Sequence, residues 1–421
     1  MIRPVRRMTR PATAGATGAL ALLLLVPALA SPIAAAVELT LPLGDEALPE
    51  VRTSTTVAPG VELMTIVRGT EPARSNQIAT TKRGPWRVNV LSIDPRLATG
   101  QLRAAYGPDL TRVEKTSDIV LMAGALAGVN ASFFTFSKNP KYPGDPVGLS
   151  ISQGVLLSEP QATSTEVNLL VDAATNSVRM GRLSWSGTMR NTKTDAKLKL
   201  EFVNHPPVVP KSCAKATDPT KCKASGDVTL FTPEFGPTPR GRGLEAVLDK
   251  SGCLVKMLAS RGATLTIGQS SVQTTGKQTA KLKKLVKKGC LTRAIKLVDA
   301  DRKAVKLTNT TYGVAGRYWL TRAGKVVAKN QTGSFHARNP RTIAGTAADG
   351  TIRLVTIDGR RTTSVGATLV ETAKVAQSLG LRDAINLDGG GSTSMALTSG
   401  LVNTPSGSAE RAVGDALVYV P

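Results

Sequence analysis

Residues 385–395 read INLDGGGSTSM: an apolar run ends in Asp388, three glycines follow, and then come Ser392, Thr393 and Ser394. Glycine loses more conformational freedom on folding than any other residue, so a triplet beside a carboxylate implies close backbone approach. A carboxylate at a strand end among small residues suits a general acid, a base or a nucleophile. The same pattern also makes a plain turn, in which the aspartate accepts hydrogen bonds from its own following amides. Two other stretches carry groups suited to an anionic or sugar ligand. Arg341, in RNPRTIAG, can clamp a phosphate or carboxylate bidentately, or hold a structural ion pair. Glu410-Arg411 is either a second acid with its orienting partner or a surface pair.

Other chemistries lack their residues. No lysine follows the glycines as a phosphate-binding P-loop requires, and GGGSTSM contains no G-x-S-x-G nucleophile elbow. The chain has two histidines, His205 and His336, far apart in sequence, and no C-x-x-C pair, so a zinc site is a poor fit. What remains is carboxylate, arginine and backbone amide chemistry.

Strands and helices must bring these groups together. WRVNVLSID (86–94) reads as a strand ending in Asp-Pro. Thr116 or Ser117 can cap a helix running to about Ala127, with Gly128 as its stop. TIRLVTI (351–357) is an apolar strand turned by Asp358-Gly359. Ser364 can cap a helix to Leu379 with Leu369, Ala373, Ala376 and Leu379 on one face, and Gly380 ends it. Ala384 to Leu387 is the next strand, which makes a strand–helix–strand unit. Parallel strands there would deliver Asp358 and Asp388 to one sheet edge. Thr393 to Thr398 looks like a further strand, so the glycines turn the chain and do not open a helix.

The N-terminus carries Arg3, Arg6, Arg7 and Arg10, then the apolar run GALALLLLVPALA, then small residues. It reads as a secretory signal peptide over 1–36, cleaved after Ala30 or Ala36, and too short for a stable membrane span. Arg6-Arg7 is followed by residues that fit a twin-arginine signal poorly, and no cysteine lies nearby for a lipid anchor. Losing four arginines and no acids takes the formal charge from +24 to +20. For an exported protein this points to anionic cell-wall or glycan partners or to surface solubility, and not to nucleic acid. Aromatic residues are scarce and not interleaved with the basic ones, so no stacking platform for single-stranded nucleic acid is present.

Cys213, Cys222, Cys253 and Cys290 favour two disulfides in an exported chain. Of three pairings, Cys213–Cys222 with Cys253–Cys290 is preferred, because the first two are close within a Pro/Lys-rich loop. Residues 190–240 read as loop, with seven prolines between Pro206 and Pro239. Between Cys253 and Val298 there are ten lysines or arginines and no acid. Leu282, Leu285 and Val286 at helical spacing favour a solvated helix face there over a polymer-binding patch.

Taken together, the blocks resemble the phosphodiester glycosidase family, with matching segments in order from about Trp86 to Val420. They are GVNASFF (128–134), GDPVGLSISQGVLL (144–157), RNPRTIAG (338–345), IDGR (357–360), INLDGGGSTSM and VNTPSGSAERAV (402–413). Ala131-Ser132 stand where the family usually has glycines. The family includes an N-acetylglucosamine-1-phosphodiester hydrolase and secreted bacterial members associated with exopolysaccharide. The resemblance implies removal of a sugar from a sugar-1-phosphodiester, leaving free sugar and a phosphomonoester. On it, Asp388 is expected as principal catalytic carboxylate, Glu410 as second carboxylate and Arg341 as phosphate clamp. Asn130 is expected to orient the sugar, with Thr342, Asp358, Gly389, Gly390, Gly391, Ser392 and Arg411 also binding substrate. No cofactor is required, and a structural divalent cation such as calcium is compatible with the acidic loops.

The expected fold class is α+β: a mixed, strongly twisted β-sheet core with a few packed helices in a single principal domain. The expected layout is 1–36 signal peptide, 37–85 leader and first strand region, and 86–421 the glycosidase-like domain. Two other readings compete. One is a non-catalytic binding module for anionic glycans, and the other a phosphodiesterase that cuts the other phosphate ester.

Overall fold

A computed structural model describes residues 40–421. The expected signal peptide lies outside the described residues. One sheet of twelve strands organises the molecule. Its site-bearing strands are β1 (Glu50–Ala58), β2 (Val61–Arg68), β3 (Trp86–Ile93), β4 (Glu166–Asp172), β5 (Thr311–Arg322), β6 (Arg341–Ala347), β7 (Ile352–Ile357) and β8 (Leu381–Asn386). The order is β1-β2-β3-β7-β6-β8-β5, with β4 paired to the first half of β5. The stretch expected as leader and first strand region supplies a hairpin, β1–β2, that extends the sheet.

Every ladder in this sheet is antiparallel, which corrects the expectation of a mixed sheet. The strand–helix–strand unit exists, but β6 is inserted between its two strands. Arg341 pairs with Ile357 on one side of β6, and Ile343 with Asn386 on the other. Since β7 and β8 both oppose β6, they run parallel to each other. Asp358 and Asp388 therefore leave the sheet by the same edge.

Among the described residues there are three short α-helices, so the fold is mainly β. Helix α1 (Thr116–Met122) ends at Ala123 and a left-handed Gly124, earlier than expected. The reason is that Ala127–Asn130 is taken up as a strand, between Met395–Leu397 and Asp415–Val420, in a second sheet. Helix α3 (Leu369–Ser378) starts at a capping box of Thr368 and Glu371 and not at Ser364. The Ser364 hydroxyl instead donates to the Asp358 carbonyl (2.8 Å) and accepts from the Arg87 amide (3.0 Å). Gly380, at φ +74°, closes this helix as expected.

The centre of the large sheet is buried on both faces, which explains the nearly continuous apolar strands there. One face packs Val167, Leu354 and Ile385 against Val129, Leu417 and Tyr419 of the second sheet. The other packs Val88, Val355 and Ile343 under Ala373 and Ala376 of α3. Trp86 is fully buried there, and its indole donates to the Gly366 carbonyl (2.8 Å). Truncating it to alanine would cost about 3–5 kcal/mol.

Residues between Ser184 and Val298 build two smaller sheets around their own core, with α2 (Gln278–Leu285) against it. Both expected disulfides, Cys213–Cys222 and Cys253–Cys290, are formed here. Within the stretch expected as loop, Lys197–Leu200 and Val228–Phe231 are strands, while 204–227 is irregular with short 3-10 turns. On α2, Leu282 and Leu285 are buried and Lys281, Lys283 and Lys284 exposed, as a solvated helix face requires.

Candidate active site

Strand β8 buries Ala384 and Ile385, and the chain then leaves the sheet under tight control. The Leu387 amide donates to the Thr342 carbonyl (2.9 Å) and the Asp388 amide to the Ala131 carbonyl (2.9 Å). Asn130 returns the grip, donating from its carboxamide to the Asp388 carbonyl (2.6 Å). Its other end accepts from the Thr342 hydroxyl (2.7 Å) and the Ser394 amide (3.1 Å). Asn130 is fully buried, and its partners in this structure are Asp388, Thr342 and Ser394. Thr342, also fully buried, belongs to the same network.

The glycine triplet answers to two arginines. The chain after Asp388 makes a single 3-10 turn over Gly390–Ser392, with Gly390 in the left-handed region at φ +62°. A Cβ on Gly391 would stand 2.2 Å from the Arg411 Cζ, and one on Gly390 would stand 3.1 Å from an Arg360 terminal nitrogen. Arg411 and Arg360 are both exposed at this turn. Arg411 lies over the Phe136 ring (5.0 Å), and Arg360 donates twice to Asn339 (3.1 and 2.8 Å). Desolvation lowers the Arg360 pKa, and the nearby Arg411 charge lowers it further. A third cation, Arg317 on β5, stacks on Phe133 (4.3 Å).

Asp388, which leads into this turn, is partly exposed and interacts electrostatically with Arg411 and Arg317. Burial pushes its carboxyl up to about 6, against the Ser392 hydroxyl, the Gly389 amide, and the charges of Arg411 and Arg317. The Gly389 amide donates to one carboxylate oxygen at 3.0 Å. The plain turn and a carboxyl raised to about 6 thus coexist in one residue.

Other expected site residues hold the frame. Arg341 is 3% exposed and donates to the carbonyls of Ala367 (3.0 Å), Phe335 (2.8 Å) and Ala337 (2.8 Å). Burial, then Arg360, pushes its pKa down to about 10, with Glu371 opposing. The expected phosphate clamp is therefore committed to backbone in this structure. Glu410 accepts from the Ser117 amide (3.1 Å) and hydroxyl (2.6 Å) and from the Ser394 hydroxyl (2.7 Å). It ties the start of α1 to the turn after Asp388. Asp358 is buried and accepts from the Thr404 amide (2.9 Å); burial pushes it up to about 6.

Sequence reasoning missed three groups. Arg360 sits inside the IDGR block that had drawn attention only to its aspartate. Arg317 had no signal, since its strand pairing with Asn386 is long-range. Asp415, also raised to about 6 by burial, accepts from the Ser132 amide (2.6 Å) and steadies the loop after Asn130. Among the described residues, no three His, Cys, Asp or Glu side chains converge as a metal site.

Comparison with known proteins bears on this constellation. The Bacillus subtilis (strain 168) SPbeta prophage-derived protein YomE is 33% identical over 122 residues, 28% of this chain and only 19% of that protein's length. The Burkholderia pseudomallei K96243 protein named "Putative exported protein" superposes with a TM-score of 0.75 at 25% identity, covering 90% of this chain and 98% of that one. A hypothetical protein from Synechocystis shares the fold, with a TM-score of 0.62 at 20% identity over 86% of this chain and 62% of that one. Residues 248–420 match the family model described as phosphodiester glycosidase. That matched segment, less than half of the chain, holds Asp388, Arg360 and Arg411, and through it the chain is similar to the phosphodiester glycosidase family.

Proposed function

We propose that the protein is a secreted glycosidase that hydrolyses the sugar–phosphate bond of a sugar-1-phosphodiester in a cell-wall or exopolysaccharide glycan. The products are a free sugar and a phosphomonoester. The observation that carries this reading is a partly exposed Asp388 that interacts with the charges of Arg411 and Arg317 and leads into a glycine turn packed against Arg411 and Arg360. A phosphate departs at low basicity, so protonating it contributes little. The larger demands are on holding the phosphate and on stabilising positive charge at the anomeric carbon. Arg411 and Arg360 take the phosphate in this account, replacing Arg341 in that role. Ionised Asp388 faces the anomeric carbon and stabilises the oxocarbenium-like transition state.

Export is supported by the N-terminal signal pattern, by the two disulfides and by the similarity to the Burkholderia protein named as exported. No helix among the described residues is long and apolar enough to cross a membrane. N-acetylglucosamine is the first sugar to try, on the family resemblance. A binding module is the second reading, favoured by one observation: Glu410, the expected second carboxylate, is spent on Ser117 and Ser394. Phosphorus NMR of a panel of sugar-1-phosphate methyl diesters tests the reaction. Methyl phosphate with free reducing sugar is the expected outcome. Sugar phosphate as product would assign a phosphodiesterase instead, and binding without turnover a module.

A further inference from the structure

A second polar feature lies next to this centre, and neither the family match nor the catalytic account uses it. Glu166 on β4 pairs directly across the sheet with Arg317 on β5, which pairs in turn with Asn386 on β8. Directly opposite residues on antiparallel strands share a face. Arg317 interacts electrostatically with both Asp388 and Glu166, and its strand lies between β8, which leads to Asp388, and β4. Glu166 and Asn168 line a cavity of about 340 Å³, together with Gln161, Thr163 and Arg182. That volume falls at the lower end of small-molecule pockets, roughly 300–1,000 Å³.

The row is buried and under-bonded. Glu166 is 5% exposed and Asn168 1% exposed. Yet Glu166 Oε1 and both polar atoms of the Asn168 carboxamide have no hydrogen-bond partner of good geometry. Asn386 Oδ1, two strands away, is in the same condition. Buried groups of this kind destabilise the fold unless they meet a partner, so their clustering on one cavity marks a place for a polar ligand. The carboxyl is the natural enemy of an anion there. Burial pushes it up to about 7, against the Gln161 amide, Asn168, the Leu149 amide and Arg317, so near neutrality it offers both a donor and an acceptor. A carboxamide offers the same pair without charge.

We propose that this cavity is the subsite for the sugar ring of the substrate, with Asn168 and Glu166 hydrogen-bonding its hydroxyl or amide substituents. The inference rests on the glycosidase reading for the identity of its ligand, and it assigns selectivity among sugars to β4 and not to Asn130. Phosphate and sugar are thereby held by different groups, Arg411 and Arg360 for one, Asn168 and Glu166 for the other.

The test uses residues 37–421 with free N-acetylglucosamine, glucose and mannose as probes, read by saturation-transfer NMR titration. Asn168→Ala removes the carboxamide, and a circular-dichroism spectrum with a melting curve establishes that the variant is folded at the assay temperature; Glu166→Gln is the conservative companion. At least one sugar should saturate the wild type. Asn168→Ala should weaken it about tenfold or more, because a hydroxyl is left unpaired, and Glu166→Gln should retain it. Unchanged sugar affinity in Asn168→Ala, or no saturable sugar at all, would overturn the subsite. The two readings fail separately. Diester turnover with sugar binding indifferent to Asn168 leaves the glycosidase standing without this subsite. Asn168-dependent sugar binding with no turnover keeps the subsite and removes the glycosidase.

Discussion

The Arg411 guanidinium lies so close over Gly391 that a methyl group on that glycine would come within 2.2 Å of its Cζ. Gly391 is not in the left-handed region, so alanine is acceptable to the backbone, and the obstacle is the movable end of an exposed side chain. Gly391→Ala should therefore displace Arg411 without unfolding anything. The expected result is a loss of kcat/KM of about ten- to a hundredfold with an unchanged melting temperature, matching Arg411→Ala. Full activity in Gly391→Ala would remove Arg411 from the phosphate site.

Burial holds the Asp388 carboxyl near 6, and the account uses its ionised form. Activity should then be low under acid and rise with pH, with the half-point of kcat/KM at about pH 6. A pH–rate series on one diester substrate checks this. A flat profile through that region would contradict it.

The same shift has a consequence for stability. A carboxyl raised in the folded state keeps its proton there while the unfolded chain, near 3.8, has lost it. Folding stability from this group is thus full below the unfolded value and declines as pH rises through about 6. Asn in its place carries no such penalty. Asp388→Asn should melt on the order of a few degrees above the wild type at neutral pH, with the two curves converging in acid. A lower melting temperature at neutral pH would show that the charged form is the stabilising one.

Arg341 and Arg411 should behave oppositely. Arg341 satisfies three carbonyls from a buried position, so Arg341→Ala should lose at least about 2 kcal/mol of stability in a urea titration. Lysine lacks the planar fork and should rescue little of it. Arg411→Ala should leave the urea midpoint where it was.

The contrast between those two arginines shows what was legible in the sequence. Residue type announced guanidinium chemistry at 341 and 411, but only packing decides which guanidinium meets backbone and which meets solvent. Strands β3, β7 and β8 were legible because both sheet faces are buried, leaving unbroken apolar runs. The insertion of β6 between β7 and β8 was not, since cross-strand pairing leaves no local mark. Helix α3 began late because the capping box at Thr368 and Glu371 outcompetes Ser364, which serves the Asp358 turn. The tight turn after Asp388 was legible from its glycines, and the packing of Arg411 and Arg360 against them emerged only from the fold.

The central claim is that Asp388 is the catalytic carboxylate of a phosphodiester glycosidase. The most direct measurement compares wild type and Asp388→Asn on α-N-acetylglucosamine-1-phosphate methyl diester, following turnover by phosphorus NMR and ligand affinity by titration of the same samples. The account predicts methyl phosphate and free sugar from the wild type, and no turnover with affinity kept in the variant. Turnover surviving in Asp388→Asn would contradict it.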